Sequence, residues 1–477
     1  MTLNSGLLLQ ILPLIILAGG AILVMLGIAI RRNYLLTFLL TLLVLIATFI
    51  SVMAQASVPS SAVTSLLVAD GFSYFYIGLI TIAAILITLI SYSYFKSFDL
   101  HREEYYVILL ISTLGSAILA SSQHFISLFL GLEILSVGLY ALISYNVESR
   151  LNIEGGIKYL VLAGASSAFL LFGISLLYAA TGTLHFAEIA AALGREYEQI
   201  WLFMAGFGLL IVGVGFKLAV VPFHMWSPDV YDAAPAPVSA FIASISKGGV
   251  IAVFVRAFIL MNGQQYNSLL AVLGIIAVAS MFFGNWLALR QSNIKRILAY
   301  SSIAHLGYIL VAFVASGALG VEAITFYLVA YFITIIGAFG VVAYLSEGEK
   351  EPVQLERYRG LYWTKPWLAA GFTAILLSLA GIPLTAGFIG KYYVIAAGAS
   401  HGFWALVIIL ILNSVIGLFY YLRVIATMFD KADKSAIQRP LQPTSWIALA
   451  TVTILLVWFG VNPAGLIRLI QAFSLGV

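Results

Sequence analysis

The segment GVGFKLAVVPFH (Gly213–His224) places Lys217 inside an apolar run that glycine and proline interrupt. A second segment, AGIPLTAGFIGKYY (Ala380–Tyr393), repeats this pattern around Lys391 in the other half of the chain. Charge is costly in hydrocarbon, so an ionisable residue inside a membrane span indicates function. A broken membrane helix is tolerated only where its freed backbone is buried in protein or lines a wet cavity. One such segment in each half is typical of a transporter built from structural repeats.

The composition around these segments is that of a multi-span membrane protein. The chain has 477 residues, of which 62% are hydrophobic and 9% are charged, against about 25% charged in an average protein. The first apolar run, Leu7 to Ile30, lacks both a preceding basic region and a small-residue cleavage site, so we interpret it as a retained span. The sequence has no cysteine, which excludes disulfides and cysteine-ligated metal or iron–sulfur sites.

We predict an all-α polytopic membrane protein with about fourteen transmembrane helices, forming a single integral domain over residues 1–477. The predicted spans are 7–30, 34–53, 72–94, 105–120, 125–145, 157–180, 200–221, 238–261, 268–289, 297–315, 323–345, 366–397, 403–428 and 444–466. Spans 4–8 (105–261) and 9–13 (268–428) are predicted to be two five-helix repeats, and the odd number of helices inverts the second. Spans 7 and 12 are predicted to be discontinuous, the twelfth at Pro383 and Gly387.

Basic residues are distributed unevenly between the two sets of loops. Fifteen of the 23 Lys and Arg lie in loops that follow odd-numbered spans: Arg31, Arg32, Lys96, Arg102, Arg150, Arg290, Lys295, Arg296, Lys350, Arg357, Arg359, Lys365, Lys431, Lys434 and Arg439. Only Arg195 and Arg468 lie on the other face. The positive-inside rule therefore predicts both termini outside the cytoplasm. This asymmetry explains the net charge of +4 without a nucleic-acid partner.

Three ionisable residues in the first half are candidates for moving protons. Glu133, in LFLGLEILSVGLY, is the one carboxylate well inside a predicted span. It could be half of a structural ion pair between helices, or a proton carrier whose ionisation is controlled by a nearby lysine, with Lys217 as its natural partner. Lys217 and Lys247 lie near mid-depth in spans 7 and 8. A buried lysine can take and release a proton, whereas arginine stays charged.

Lys391 and two histidines are candidates beside or beyond the breaks. Lys391 follows the break in span 12, where a half-helix end and water could meet it, although snorkelling is an alternative. His305, in YSSIAHLGYIL, could be a packed core residue or a relay between the two halves, since nearby serine and tyrosine hydroxyls would support a water wire. His224 could line proton uptake or cap a half-helix.

The other basic residues each have a structural alternative. Lys158 forms an i, i+4 pair with Glu154, which is ordinarily a surface feature. Lys295 lies at a span mouth, where it could serve only as a positive-inside anchor. We interpret Arg256 as structural and Arg423 as snorkelling toward the cytoplasmic face.

Motifs for soluble cofactors are missing from the sequence. The six histidines are scattered without a pair at metal-ligand spacing, and no Walker loop or dinucleotide fingerprint is present. The chain itself is therefore predicted to bind no metal, ATP, NAD or flavin. These residues indicate a charge-moving path through a membrane, without naming the ion or the driving force.

Four stretches go further: LFLGLEILSVGLYALISY (Leu128–Tyr145), GFKLAVVPFHMWSPDVYDAAPAPVSAFIASISK (Gly215–Lys247), NIKRILAYSSIAHLGY (Asn293–Tyr308) and LAGIPLTAGFIGKYY (Leu379–Tyr393). They closely resemble the antiporter-like membrane subunits of proton-pumping NADH:quinone oxidoreductase (respiratory complex I), whose relatives include subunits of multi-protein sodium/proton antiporters. The resemblance covers nearly the whole chain. The chain resembles the bacterial N-type subunit in three features: fourteen predicted spans, no C-terminal lateral helix and a lysine at position 391.

The resemblance implies a proton-translocating subunit of a translocase that carries no redox centre itself. It implies a bacterial inner membrane, in which the loop charges described above place both termini in the periplasm. It also implies other membrane and peripheral complex I subunits, including antiporter-like neighbours, as partners. FMN, iron–sulfur clusters and quinone are expected in those partners. The implied proton-path residues are Glu133, Lys217, Lys247 and Lys391, with His305, Lys158 and Lys295 as accessory residues; His224 is a candidate from its position in the sequence alone.

Two other classes of function stay open at this point. The chain could belong to a cation/proton antiporter, although few intramembrane carboxylates are available as the oxygen ligands that sodium requires. It could instead be a static assembly subunit. A relative of complex I that takes electrons from ferredoxin also stays open.

Overall fold

The computed structural model describes residues 5–55, 61–96, 102–193, 200–346, 351–431 and 443–473, and this part of the chain is almost entirely helical. The helices are α1 (Ser5–Gln10), α2 (Leu12–Ile30), α3 (Tyr34–Gln55), α4 (Gly71–Phe95), α5 (Glu104–Ala120), α6 (Phe125–Ile143), α7 (Arg150–Thr181), α8 (Phe186–Leu193), α9 (Ile200–Leu218), α10 (Trp226–Ala233), α11 (Ala236–Phe241), α12 (Lys247–Leu260), α13 (Asn267–Leu289), α14 (Ile294–Ala315), α15 (Gly317–Leu345), α16 (Leu361–Thr364), α17 (Pro366–Ala380), α18 (Ala386–Ser400), α19 (Trp404–Phe429), α20 (Pro443–Val461) and α21 (Ala464–Phe473). The described strands β1 (Ser61–Ala62) and β2 (Val68–Ala69) pair antiparallel.

The predicted all-α membrane architecture is confirmed. Within the described residues, twelve helices are long and apolar enough to cross a membrane, when α11, α12 and the residues between them are taken as one helix. Helix α5 has 17 residues, and α17 and α18 have 15 each, so they are shorter than a full crossing. The count of fourteen spans and the orientation of the termini therefore stay predictions. Of the residues on which that orientation depends, Arg195, Lys350, Lys434 and Arg439 lie outside the described ranges.

The most buried helices form the centre of the molecule. In the helix that runs from Ala236 to Leu260 and in α15, every residue of the apolar window is buried, and in α14 94% are. The outer helices α19 and α20 bury only 33% of theirs, so their remaining surfaces are available to lipid. Lys247 and His305 belong to the central helices, which places both ionisable side chains far from the lipid-facing surface.

Both predicted helix breaks are present. Helix α9 ends at Leu218, and Ala219 adopts a positive φ of 57° before α10 begins. In the second half, α17 ends at Ala380, where Gly381 has a φ of 84°, and α18 begins at Ala386. Each break leaves a helix end within the protein, as the glycine and proline pattern predicts.

The position of the second break differs from the prediction at one residue. The break runs from Gly381 to Thr385, so it contains Pro383, whereas Gly387 lies inside α18. A Cβ atom at Gly387 would lie 1.9 Å from the carbonyl oxygen of Ser378. Gly387 is therefore required for the close approach of α18 to α17 and does not interrupt the helix.

A third irregularity was not predicted. Between α11 and α12, residues Ile242–Ser246 form a turn of π-helix that ends immediately before Lys247. The hydroxyl of Ser116 on α5 donates a 2.8 Å hydrogen bond to the carbonyl oxygen of Ile245 in this turn. Short π-helical turns are frequent at functional sites.

Candidate functional site

Glu133 and Lys217 lie close in the structure but do not form an ion pair. Lys217, in the last turn of α9, is 3% exposed, and its Nζ donates a 2.6 Å hydrogen bond to the Ser136 hydroxyl. Ser136 follows Glu133 by three residues on α6, so both lie on one face of that helix. Glu133 accepts a 2.6 Å hydrogen bond from Ser167 on α7. The two predicted partners are thus each held by a serine.

Lys247 is fully buried at the first position of α12. Its Nζ donates a 2.5 Å hydrogen bond to the Ser302 hydroxyl, which also accepts a 2.6 Å bond from the Tyr331 hydroxyl. The ammonium lies 5.7 Å from the ring centroid of Tyr231. Its polar surroundings therefore consist of hydroxyls and an aromatic face.

His305 lies between two tyrosine hydroxyls. Nδ1 is 2.6 Å from the Tyr327 hydroxyl, and Nε2 is 3.1 Å from the Tyr421 hydroxyl. Tyr421 is also hydrogen bonded to Ser301, one turn before His305 on α14. Since Ser302 is the next residue, the surroundings of Lys247 and His305 meet on one helix. The relay role of His305 stays a prediction.

Lys391 is turned inward, toward the break that precedes α18. Its Nζ donates to the carbonyl oxygens of Leu379 (3.1 Å) and Ala380 (2.7 Å), and to the Ser414 hydroxyl (2.8 Å). The side chain is 7% exposed and lies 5.2 Å from the ring centroid of Tyr308. The ammonium thus meets the carbonyl end of a half-helix, where the helix dipole favours positive charge.

The accessory candidates Lys158 and Lys295 differ from each other in burial. The Lys158 side chain is 45% exposed and is paired with Glu154 (2.7 Å) and Asp229 (3.3 Å). Lys295 is 1% exposed and pairs with Glu351 at 2.5 Å. Its Nζ also donates to the carbonyl oxygens of residues 232 and 234, at the junction of α10 and α11. Lys295 therefore fixes a helix junction near the central helices.

His224 is buried in the turn that separates α9 from α10. This position is beside the first break, as the sequence predicts. Lys217 lies at the other side of the same turn, in the last turn of α9.

The two arginines make structural contacts. Arg256 donates to both carboxylate oxygens of Asp70, at 2.5 and 2.8 Å, and their side chains are 2% and 15% exposed. Burial alone would raise the pKa of Asp70, but the hydrogen bonds and charge of Arg256 lower it below its ordinary value. Arg423 donates to the carbonyl oxygens of Leu289 and Gln291 at the end of α13.

Sequence reasoning did not identify the groups that bond to the candidates. These are Ser136, Ser167, Tyr327, Tyr331, Ser414, Tyr421 and Glu351. The sequence could have indicated Tyr327 and Tyr331, because a spacing of four puts both hydroxyls on one face of α15. It could not have indicated the serines, since serine hydroxyls often bond the carbonyl of the preceding turn in apolar helices.

Comparison with known proteins relates the whole chain to one family. A family model described as NADH:quinone oxidoreductase/Mrp antiporter, TM, matches residues 122–417. A protein named NADH-quinone oxidoreductase subunit N from Ectopseudomonas mendocina is 44% identical over 481 aligned residues, covering 98% of this chain and 97% of that protein. A chain of respiratory complex I from Thermus thermophilus with bound aureothin is 31% identical, with a TM-score of 0.83 and coverage of 96% of this chain and 99% of that one. A chain of the Mrp complex from Dietzia sp. DQ12-45-1b gives a TM-score of 0.85 at 18% identity, with coverage of 99% and 97%, which concerns the fold alone.

Proposed function

The chain belongs to the NADH:quinone oxidoreductase/Mrp antiporter transmembrane family, and on this premise we propose that it is a proton-translocating membrane subunit of an NADH:quinone oxidoreductase. Protons move from the cytoplasm to the periplasm through Glu133, Lys217, Lys247, His305 and Lys391. The work is driven by redox chemistry in other subunits.

A set of buried amines without counter-ions carries this proposal. Lys217, Lys247 and Lys391 are 3%, 0% and 7% exposed, and no carboxylate of the described chain lies within 4.0 Å of their Nζ atoms. An unpaired buried ammonium costs several kcal/mol. Each amine instead contacts a hydroxyl, so each can pass on a proton without leaving a strong ion pair behind.

The serine-held state of Glu133 and Lys217 is one of two states in the cycle. When the carboxylate and ammonium meet, the pair keeps its proton on Lys217; when they separate, the ammonium loses its counter-ion. Breaking a buried ion pair costs about 3–5 kcal/mol. Moving one charge against a membrane potential costs about 2.3 kcal/mol per 100 mV. The free energy involved in breaking the pair exceeds the cost of moving one charge against 100 mV, so one separation of Glu133 and Lys217 can drive one proton onward.

The family supports the proposed partners and membrane, and the distribution of basic residues supports the proposed orientation of the termini. The chain assembles with other membrane and peripheral subunits in the bacterial inner membrane, with both termini in the periplasm. FMN, iron–sulfur clusters and quinone belong to those partners. For the clusters this agrees with the sequence, which has no cysteine to hold one. Lys158, Lys295 and His224 act as accessory residues near the cytoplasmic face.

The proposal includes a repeat organisation within the single domain 1–477. Residues 105–261 and 268–428 form two inverted five-helix repeats. Equivalent helix pairs pack together in the two halves, which supports this: α5 with α6 and α13 with α14, then α7 with α9 and α15 with α18. Each half also carries one break beside a buried lysine.

The test is Lys247→Ala in the assembled complex. We expect proton translocation per electron to fall while assembly and the peripheral NADH oxidation activity persist. Lys96→Ala is the control, because Lys96 is exposed at the end of α4. Undiminished translocation in Lys247→Ala would reject the relay.

A further inference from the structure

We propose that a groove between α15, α17 and α20 binds an anionic phospholipid of the membrane, with its phosphate at Lys365 and one acyl chain along the groove. The proposal goes beyond the proposed function, because it concerns a lipid and none of the relay residues lines the groove. The groove has a volume of about 670 Å³, and ligand pockets in proteins measure about 300–1,000 Å³. The space is therefore large enough for a bound ligand.

The walls of the groove are almost entirely apolar. Ala370 and Gly371 of α17 and Ala450 of α20 line it, and their small size leaves the space open. A Cβ atom at Gly371 would lie 3.4 Å from the hydroxyl oxygen of Thr453, which is an ordinary contact. The Thr453 hydroxyl itself donates a 2.8 Å hydrogen bond to a backbone carbonyl oxygen of α20. The middle of the groove therefore suits a hydrocarbon chain.

Polar and aromatic side chains gather at one end of the groove, which we call the mouth: Tyr344, Thr364, Lys365, Trp367 and Trp446. The Lys365 Nζ donates a 3.4 Å hydrogen bond to the Tyr344 hydroxyl and lies 5.0 Å from the centroid of that ring. Trp367 and Trp446 are 84% and 47% exposed. Exposed tryptophans beside a lysine are typical of the interface between membrane and water, where lipid headgroups lie.

The mouth carries the positive charge that a lipid phosphate requires. Lysine binds phosphate as a point charge. Helix α17 begins there at Pro366 and has no side-chain hydrogen bond at its N-cap, so the positive end of the helix dipole adds to the charge of Lys365. Helices α17 and α20 both begin on the side of the basic loops, which is the predicted cytoplasmic side. Anionic lipids give the cytoplasmic leaflet a negative surface potential that attracts basic residues, so the occupant is an anionic phospholipid of that leaflet.

The length of the groove corresponds to one leaflet of a membrane. Its lining residues fall within positions 366–375 of α17 and 446–454 of α20, which at 1.5 Å per residue span about 12–14 Å. Half of a hydrocarbon core of about 30 Å is about 15 Å. At the inner end the three helices close together, because a Cβ atom at Gly337 of α15 would lie 2.6 Å from Val452 and 2.8 Å from Ile375. A transmembrane helix of a partner needs about twice this length, whereas one acyl chain fits it.

The experiment photolabels the assembled complex in vesicles of phosphatidylethanolamine that contain phosphatidylglycerol with a diazirine near the end of one acyl chain. Labelled peptides are identified by mass spectrometry after irradiation. We expect label at the inner end of the groove, on the peptides that contain Ile375 or Ile454. Zwitterionic phosphatidylcholine with the same diazirine chain should label these peptides about fivefold less, because one basic residue near a membrane surface attracts anionic lipid by about 1 kcal/mol.

Three variants separate the groove from the charge. Gly371→Leu puts a side chain into the groove and should abolish labelling at its inner end. Lys365→Ala removes the charge at the mouth and should lower labelling by phosphatidylglycerol about fivefold. Lys365→Arg keeps that charge and should label as the unmodified complex does.

Two controls match these changes. Gly164→Leu adds the same side chain at an exposed glycine of α7, where a Cβ atom would meet nothing within 4 Å. Lys96→Ala removes an exposed lysine whose Nζ lies 5.9 Å from the ring centroid of Tyr92, which is a similar lysine–tyrosine contact outside the groove. Both variants should label the groove peptides as the unmodified complex does.

The outcomes also separate a lipid from other occupants. Equal labelling of the groove peptides in Gly371→Leu and Gly164→Leu would overturn the proposal, because the label would then come from bulk lipid. Equal labelling by the two lipids would overturn recognition of an anionic headgroup. A photoreactive amino acid in place of Gly371 that crosslinks to another subunit would show that the groove is a subunit interface instead.

The proposal stays testable if one variant fails or if the relay is wrong. If Gly371→Leu does not assemble, the comparison of Lys365→Ala with Lys96→Ala decides the question. The labelling does not depend on proton translocation, so undiminished translocation in Lys247→Ala would reject the relay and leave the lipid site standing.

Discussion

The ammonium of Lys391 donates a 2.7 Å hydrogen bond to the carbonyl oxygen of Ala380, the last residue of half-helix α17. The same side chain therefore satisfies a carbonyl that the end of the helix leaves unpaired, and it occupies the negative end of the helix dipole. Capping requires only a fixed positive charge with hydrogens to donate. Proton transfer requires an amine that can lose one. The two roles can be separated by substitution.

Lys391→Arg keeps the charge and the donors but cannot release a proton at any physiological pH. We expect the variant complex to assemble at the unmodified level on native gels. Its proton translocation per electron should fall by at least about tenfold, which corresponds to about 1.4 kcal/mol in a rate-limiting step. Full translocation by Lys391→Arg would mean that only the capping charge is needed.

Ser302→Ala removes the hydroxyl that Lys247 and Tyr331 share. Each partner then keeps a buried donor without an acceptor, which costs about 1–3 kcal/mol. We expect slower proton translocation, measured in proteoliposomes against NADH oxidation by the same complex. The matched control is Ser244→Ala, because Ser244 is also fully buried but its hydroxyl donates to the carbonyl oxygen of Ala240, four residues earlier in the chain. Equal effects in the two variants would assign Ser302 to packing alone.

The ionisable residues of the site were predictable because each one conflicts with its surroundings. Lys217, Lys247 and Lys391 stand out in apolar sequence, since a charge there has a high cost that only function or pairing explains. The two breaks were predictable for a similar reason, because glycine and proline disfavour a continuous helix.

The remaining details depend on three-dimensional contacts that a single sequence does not encode locally. Glycine can break a helix or permit close packing, and sequence alone assigned Gly387 to the first role although it has the second. The π-helical turn Ile242–Ser246 contains no residue type that requires it. The separation of Glu133 from Lys217 depends on Ser136 and Ser167, which bond to them from neighbouring helices.

Gly387→Ala should prevent the close approach of the two halves of the broken helix. The added methyl group would meet the carbonyl oxygen of Ser378, which belongs to the backbone of α17 and cannot move aside easily. Overpacking of this kind costs about 1–3 kcal/mol. We expect less assembled complex and a lower melting temperature. Gly208→Ala is the control, because the space around Gly208 on α9 is open and alanine favours helix there; similar melting temperatures for the two variants would contradict the packing argument.

Asp70→Asn tests whether the buried pair with Arg256 is structural. Asparagine can still accept the hydrogen bond from the Ser73 amide that caps α4, so the substitution removes mainly the charge. Leaving Arg256 buried without a counter-ion should cost about 3–5 kcal/mol, seen as a lower melting temperature of the purified complex. Proton translocation per electron should be unchanged in the complex that does assemble, since neither residue belongs to the relay.

The same pair sets the pH dependence of this contribution. The pKa of Asp70 is lowered in the folded protein from its ordinary value of 3.8, so the pair stabilises the fold above pH 3.8 and this stabilisation is lost as pH falls through the folded pKa. Asp70→Asn lacks this carboxylate, so its stability should not show the decrease that protonation of Asp70 causes as the pH falls. Glu104→Gln is the control, because Glu104 pairs with Arg32 at an exposed site, where ion pairs contribute about 0–1 kcal/mol. If the melting temperature of Asp70→Asn is no lower than that of Glu104→Gln, the Arg256 pair does not stabilise the contact between α12 and α4. If proton translocation per electron falls in Asp70→Asn, the pair is not purely structural.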